Sequence, residues 1–294
     1  SFSLSGGSVA AGKLSMSYNK SNDTLGLNGS AQFDGGSTLG TFGLDGGILI
    51  RNGAIDEFQA GLTGKVSLAG VSVSIANLST TYSASDDSLK ITGKAGFSFG
   101  ENSASIDLVG QGLLIQAATV QSVEATLDGS LALAGASFGI SGVSVYYSNL
   151  DNMFSLSNGK ASLSFGENNA SVSLGSKGLV IKDGSVESVD ATISGSLSLA
   201  GVSLKANDLS FKYNRQAEEF SMGGGVSLKF DGFNLDAKLA AENGLVIRSG
   251  ALESLNATVN GSVTIGGASV SLNDSGRTYS RAEDRLTTKG TLGV

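Results

Sequence analysis

The sequence predicts an all-β fold: an elongated repeat protein, an antiparallel meander of creased strands folded into two facing sheets in a taco-like or solenoid-like arrangement. Three observations predict it. Glycine-led apolar blocks return at a near-constant interval, apolar and polar residues alternate with a period of two inside them, and none of the 294 residues is proline. Period-two alternation gives each strand a core face and a water face, and the lack of proline keeps every ladder donor in place.

The block is clearest at Gly195-Ser196-Leu197-Ser198-Leu199-Ala200-Gly201-Val202-Ser203-Leu204, with counterparts opening at Gly64, Gly129 and Gly261. A second marker keeps the same beat: Gly47-Ile48-Leu49-Ile50 recurs at Gly112, Gly178 and Gly244, spaced 65, 66 and 66 residues (112−47, 178−112, 244−178). Self-similarity of this kind argues for stacked units sharing one core. The reading is one elongated domain over 1–294, in units 1–64, 65–129, 130–195, 196–261 and 262–294. A string of small immunoglobulin-like sandwiches is the alternative, but no linker separates the units.

Within a unit, glycines at 29, 64, 93, 129, 159, 195, 225, 261 and 290 mark two unequal halves, each a strand creased at glycine. Glycine suits a crease because it tolerates sharp bends and leaves room for a neighbouring backbone. Ala200-Gly201, Asp231-Gly232 and Gly266-Gly267 read as tight hairpin turns, and Asn207-Asp208 as a bend within a strand. The outgoing strand is typified by Phe220 to Phe230 and the returning one by Phe233 to Arg248. The first unit is the least regular, with extra glycines between Thr24 and Asp45, and the most charged stretch is Asp274 to Arg285. Atypical end units suit capping or a junction.

Composition removes whole classes of function. With no histidine and no cysteine the chain lacks a neutral-pH acid-base group, an imidazole ligand and a thiolate. A net charge of −7 with singly scattered Lys and Arg argues against nucleic acid and anionic membrane as partners. No apolar run approaches the ~18 residues of a helical span, so membrane insertion is not expected. No cofactor and no enzymatic activity are expected. Serine is abundant, but nothing pairs with it as a base, and a Ser-Lys dyad finds no support.

Asp56, Gln121, Glu187 and Glu253 form one column a unit apart, and Gln59, Glu124, Asp190 and Asn256 another. Calcium needs oxygens within ~2.5 Å of one ion, whereas residues one unit apart stand four strands, or ~19 Å, from each other. Solvated turns explain the columns better, as they do the pairs Asp86-Asp87 and Glu218-Glu219, expected to align in one turn. Asn-x-Ser/Thr triplets at Asn19, Asn22, Asn28, Asn77, Asn169, Asn256, Asn260 and Asn273 make glycans a further candidate partner, although chance explains most in so serine-rich a chain. Phe97, Phe99, Phe138, Phe165, Phe211, Phe220 and Phe230 fall on the apolar face as core or, alternatively, as a lipid groove. The outward rows mix Ser, Lys, Thr and Asp, which does not suit ice binding.

Ala206-Asn207-Asp208-Leu209-Ser210-Phe211-Lys212-Tyr213, followed by Phe220 to Leu228, resembles the strand rhythm of the OstA-like sheet of periplasmic lipopolysaccharide-transport bridges. That resemblance implies a taco-shaped meander around acyl chains. The long Ser/Gly-rich units, from Gly178-Leu179-Val180-Ile181 through Leu197-Ser198-Leu199-Ala200-Gly201, look more like giant tandem-repeat surface proteins of environmental bacteria. This second resemblance covers essentially the whole chain and implies secretion and a structural or adhesive role.

The functional expectation is therefore an extracellular or cell-surface structural protein, a filament subunit or the stalk segment of an adhesin. Its alternative is a periplasmic lipid-binding or lipid-conducting bridge. Small inward residues (Ala125, Ala191, Ala257, Gly195, Gly261) favour a closed, thin core and hence the first. Ser1 to Ser8 aligns with Ser262 to Ser269, and Arg285 to Gly290 aligns with Ser88 to Gly93. The expected assembly is head-to-tail with further copies by β-strand addition, through Ser1, Phe2, Ser3 and Leu4 at one end and Leu286, Thr288, Thr291, Leu292 and Val294 at the other.

Overall fold

A computed structural model describes residues 2–4, 7–34, 41–68, 71–133, 136–199, 202–241, 244–265 and 267–293. Among them every regular element is a β-strand, and the strands pair antiparallel as a meander. The chain divides into two compact units, Ser1–Leu131 with Ser144–Phe154, and Ala132–Val143 with Ser155–Val294.

The first unit opens with β1 (Phe2–Leu4), β2 (Gly7–Ala11), β3 (Ser15–Asn19) and β4 (Thr24–Asp34). It continues through β5 (Thr41–Arg51), β6 (Ala54–Leu68), β7 (Val71–Ser83), β8 (Ser88–Phe99) and β9 (Asn102–Gln116). The strands β10 (Thr119–Leu133), β11 (Ala136–Ser148) and β12 (Met153–Ser157) divide between the two units. The second unit holds β13 (Lys160–Phe165), β14 (Asn168–Lys182), β15 (Ser185–Leu199), β16 (Val202–Asn214) and β17 (Glu219–Phe230). It closes with β18 (Phe233–Leu239), β19 (Leu245–Arg248), β20 (Ala251–Ile265), β21 (Ala268–Ser280) and β22 (Arg285–Gly293).

The creases are β-bulges. In β16, Asn207 and Asp208 together oppose Ser194 of β15, and Asp208 and Leu209 together oppose Gly224 of β17. The same two-on-one arrangement recurs at Asn77 in β7 and Asp274 in β21. Asn77, Gly142, Asp208 and Asp274, 65, 66 and 66 residues apart, all have positive φ (53°, 61°, 47° and 47°). Asn and Asp tolerate this left-handed region better than other residues with a Cβ, and an extra residue there bends the strand and raises its twist. Asn207-Asp208 is thus a bend inside a strand, and ladder pairing continues on both sides of it.

One crease glycine differs from expectation. Gly225 has an ordinary neighbour, Asn207 Cβ, 3.6 Å from where its own Cβ would stand, whereas a Cβ on Gly224 would overlap the Asp208 carbonyl. Gly224 also has φ near 100°, so the crease glycine is the residue before. Three consecutive glycines, Gly223-Gly224-Gly225, hid the register from a spacing argument. At Gly195 the backbone is almost extended (φ 159°), and glycine is needed there because a Cβ would collide with the Asn169 carbonyl of β14.

The hairpin at Asp231-Gly232 is present, with Gly232 at φ 63°. Ala200-Gly201 and Gly266 lie outside the described residues. Asp87 and Glu218 occupy the equivalent left-handed turn position (φ 45° and 47°), but Glu219 already begins β17, so the two acidic pairs align one residue out of step.

The closed core is not what the fold builds. Among the described residues Ala125, Val143 and Val246 are the buried hydrophobics, while Phe97, Phe99, Phe138, Leu163, Phe165, Leu197 and Leu204 remain between 42% and 58% exposed. Each limb offers few large apolar residues per strand, with serine filling the alternate positions, so the apolar face is only half covered.

Candidate functional site

The first acidic column has a backbone role. Asp56, Gln121, Glu187 and Glu253 are each the extra residue of a bulge where a returning strand meets the next outgoing one. Their carbonyls accept hydrogen bonds of 2.8–2.9 Å from the amides of Ala84, Asn149, Arg215 and Arg281 in the following hairpin. Their carboxylates add ion pairs at the surface, Asp56 with Arg51 at 2.9 Å and Glu253 with Arg281 at 3.9 Å. Exposed pairs of this kind contribute little.

In the second column Glu124 and Asp190 face a wider bulge, whereas Gln59 pairs regularly with Gly47. Val109–Gly112 of β9 loop out against the single residue Glu124, and Gly175–Gly178 of β14 against Asp190. The Gln111 amide donates to Glu124 Oε2 at 3.1 Å, and Lys90 Nζ donates to Gln111 Oε1 at 3.1 Å. Gly110 and Gly175 leave the space into which the two carboxylates reach. The first column, and Glu124 and Asp190 of the second, therefore sit at the meander's irregular points. Among the described residues no three carboxylates gather at metal-binding range.

What the structure leaves open is the sheet edge. Among the described residues β22 pairs on one side only, with β21, and Leu286 and Leu292 on it are 62% and 68% exposed. At the other end β1 pairs with β2, and β3 pairs with β4 alone. Of the assembly residues named from sequence, Phe2, Ser3 and Leu4 form β1, Leu286, Thr288, Thr291 and Leu292 lie on β22, and Ser1 and Val294 lie outside the described residues.

Ladder register places the two ends in the repeat. Phe2↔Val9 and Ser3↔Ser8 reproduce Val263↔Val270 and Thr264↔Ser269 at a constant offset of 261 (263−2, 270−9). The same offset carries Tyr18↔Leu25 onto Tyr279↔Leu286, so β3 is the second limb of a β21-like strand. In β21 that limb's other edge pairs with β20, through Tyr279↔Leu255 and Arg277↔Ala257. On β3 the equivalent edge has no described partner, and it exposes Leu14, Met16 and Tyr18 at 78%, 75% and 62%. These residues escaped the sequence reading, which stopped its alignment at Ser8. Continuing the offset to Tyr18 and Tyr279 would have found them.

Beside this edge lies an apolar trough of about 590 Å³, lined by Leu14, Met16, Leu27, Leu44, Ile48 and Phe58 among others. Tyr18 Oη donates to Asp23 Oδ1 at 3.0 Å, which holds the phenol's pKa above its ordinary value. No protein-family model, curated protein or solved structure matches the chain.

Proposed function

We propose that the chain is a structural protein of an extracellular or cell-surface filament or stalk, lengthened by β-strand addition. The observation that carries this reading is the repeat register at β3, which takes the phase of a β21 limb and carries Leu14, Met16 and Tyr18 exposed beside the position that β20 fills elsewhere. Proteins usually block such edges with charge, proline or a covering element. Antiparallel addition of β22 puts Leu286 beside Tyr18 and Thr288 beside Met16, keeping apolar side chains on one face. Within the repeat the strand on this side of a β3-like limb is β20-like, so β22 from a second copy would stand in its place. The resemblance to tandem-repeat surface proteins is what supports a place outside the cell.

The test is Met16→Lys with Tyr18→Lys, which places charge on the edge. Sedimentation of the unaltered protein should show concentration-dependent association, and the double variant should stay monomeric with an unchanged strand spectrum. An unaltered protein that remains monomeric at high concentration, with fast-exchanging amides on β3 and β22, would overturn the reading.

One observation favours a second reading, a lipid-binding or lipid-conducting bridge: half-exposed apolar residues within each unit, Phe97 and Phe99 with the trough at β3 in the first, and Phe138, Leu163 and Phe165 in the second. Apolar patches larger than a few hundred Å² usually mark an interaction site. Native mass spectrometry of gently extracted protein, compared with a delipidated sample, separates the readings, since only a lipid carrier loses discrete bound mass.

A further inference from the structure

The sequence contains Asn-Gly at 28–29, 52–53, 158–159, 243–244 and 260–261. This dipeptide is chemically reactive, because glycine leaves the following amide nitrogen unshielded. The structure holds three of the five. Asn28 sits within β4 with its side chain against Gly47. Asn158 donates its own amide to Gly175 O at 3.0 Å, and Gly159 is packed against the Gly142–Val143 backbone. Asn260 lies in β20 with Oδ1 accepting from the Asp274 amide at 2.6 Å. Asn243 lies outside the described residues.

Asn158 and Gly159 share positive φ (57° and 64°), but Asn52 differs from the three in its surroundings. It is exposed in the two-residue hairpin between β5 and β6, at φ 50°, and Gly53 follows at φ 78° with open space where a side chain would stand, whereas a Cβ on Gly29, Gly159 or Gly261 would meet a neighbouring backbone. We infer that Asn52 is a site of spontaneous deamidation and isoaspartate formation in the folded protein. The Gly53 nitrogen attacks Asn52 Cγ, the new N–Cγ bond closes a succinimide, and the Cγ–Nδ2 bond breaks to release ammonia, the departing nitrogen taking up through solvent the proton lost from the Gly53 amide. Water then opens the ring at either carbonyl. Opening at Cγ gives aspartate, and opening at the backbone carbonyl gives isoaspartate, whose main chain is one carbon longer.

The repeat itself shows what the first product does. Equivalent turns read Ala117-Ala118, Asp183-Gly184 and Ser249-Gly250, at matching positive φ of 48°, 50° and 48° for the first residue. An aspartate is thus already accommodated at this position in another unit. Isoaspartate is not equivalent: a lengthened backbone in a two-residue turn alters the closing pair Arg51↔Ala54 and the neighbouring bond from the Asn52 amide to Asp23 O, 3.2 Å long.

The protein would be aged in warm, mildly alkaline buffer, both folded and in urea, and sampled by peptide mass spectrometry and by labelling with an isoaspartate methyltransferase. The folded protein should gain one mass unit at the Asn52 peptide well before the Asn28, Asn158 and Asn260 peptides change. Urea should erase that order, and Asn52→Gln should abolish the early methyl label. Equal rates at the other three sites in the folded protein, or an Asn52 that reacts only in urea, would overturn the inference.

Discussion

Close packing of one backbone on another decides what single residues can be at the creases. Gly224 combines positive φ with contact against Asp208, so a methyl group there meets both a conformational and a steric penalty, whereas Gly225 meets neither. Gly224→Ala should lower the unfolding free energy by about 2 kcal/mol or more, and Gly225→Ala by no more than ~0.5 kcal/mol, read from urea midpoints at unchanged slope. Equal effects would mean the bulge register is wrong. Tyr18 gives a prediction in pH. Its phenol is held protonated by the hydrogen bond to the Asp23 carboxylate and by that negative charge, so its folded pKa lies above the unfolded one. The small stability linked to it is complete below the unfolded pKa and is lost as pH rises through the folded value. The Tyr18→Phe difference absorbance should therefore show a phenol that ionises above its ordinary value, and Asp23→Ala should bring it back toward that value.

Elements show where sequence reasoning ends. Strands, their alternation and the hairpin at Asp231-Gly232 were legible because period two and turn chemistry are local. The bend at Asn207-Asp208 was legible for the same reason. Bulge partners were not, since which of Gly223, Gly224 and Gly225 meets Asp208 is set by a ladder to another strand. The acidic columns were visible as columns, but their role was hidden: it depends on Val109–Gly112 looping out opposite Glu124, a pairing no spacing reveals. Of the outermost strands among the described residues, β1 and β22 carry residues that the sequence singles out, whereas β3 does not. This assignment of Glu124 is testable. Glu124→Ala removes the acceptor of the Gln111 amide and should cost about 1 kcal/mol, while Glu124→Gln, which keeps an oxygen at that place, should recover most of it. Identical urea midpoints for the two variants would show that the bulge stands without its side chain.

Across the whole molecule the repeat makes a stronger claim than any one bulge does, namely that register, not sequence identity, is what each unit passes to the next. Removing Ser196–Gly261, 66 residues (261−195), joins Gly195 to Ser262, in the same phase as the natural Gly261-Ser262 step. The segment lies within the second compact unit. It takes away β16 to β19 together with the second limb of β15 and the first limb of β20, which leaves β14 beside a composite strand and that strand beside β21. Every remaining strand keeps its direction and its bulge partner: Ser194 meets the Asp274 bulge as it met that of Asp208. Because stability in stacked repeats is close to a sum of unit and neighbour contributions, the shortened chain should fold cooperatively, with a urea slope lower by roughly a fifth to a quarter. Deleting only Val202–Asn214 is the control. It removes β16 alone and leaves β15 and β17 running the same way, so antiparallel pairing fails and local unfolding should follow, seen as fast amide exchange in both. If the larger deletion proves as damaging as the smaller one, the units do not carry their register independently, and pairing of β22 with a β3 edge would lose its physical basis.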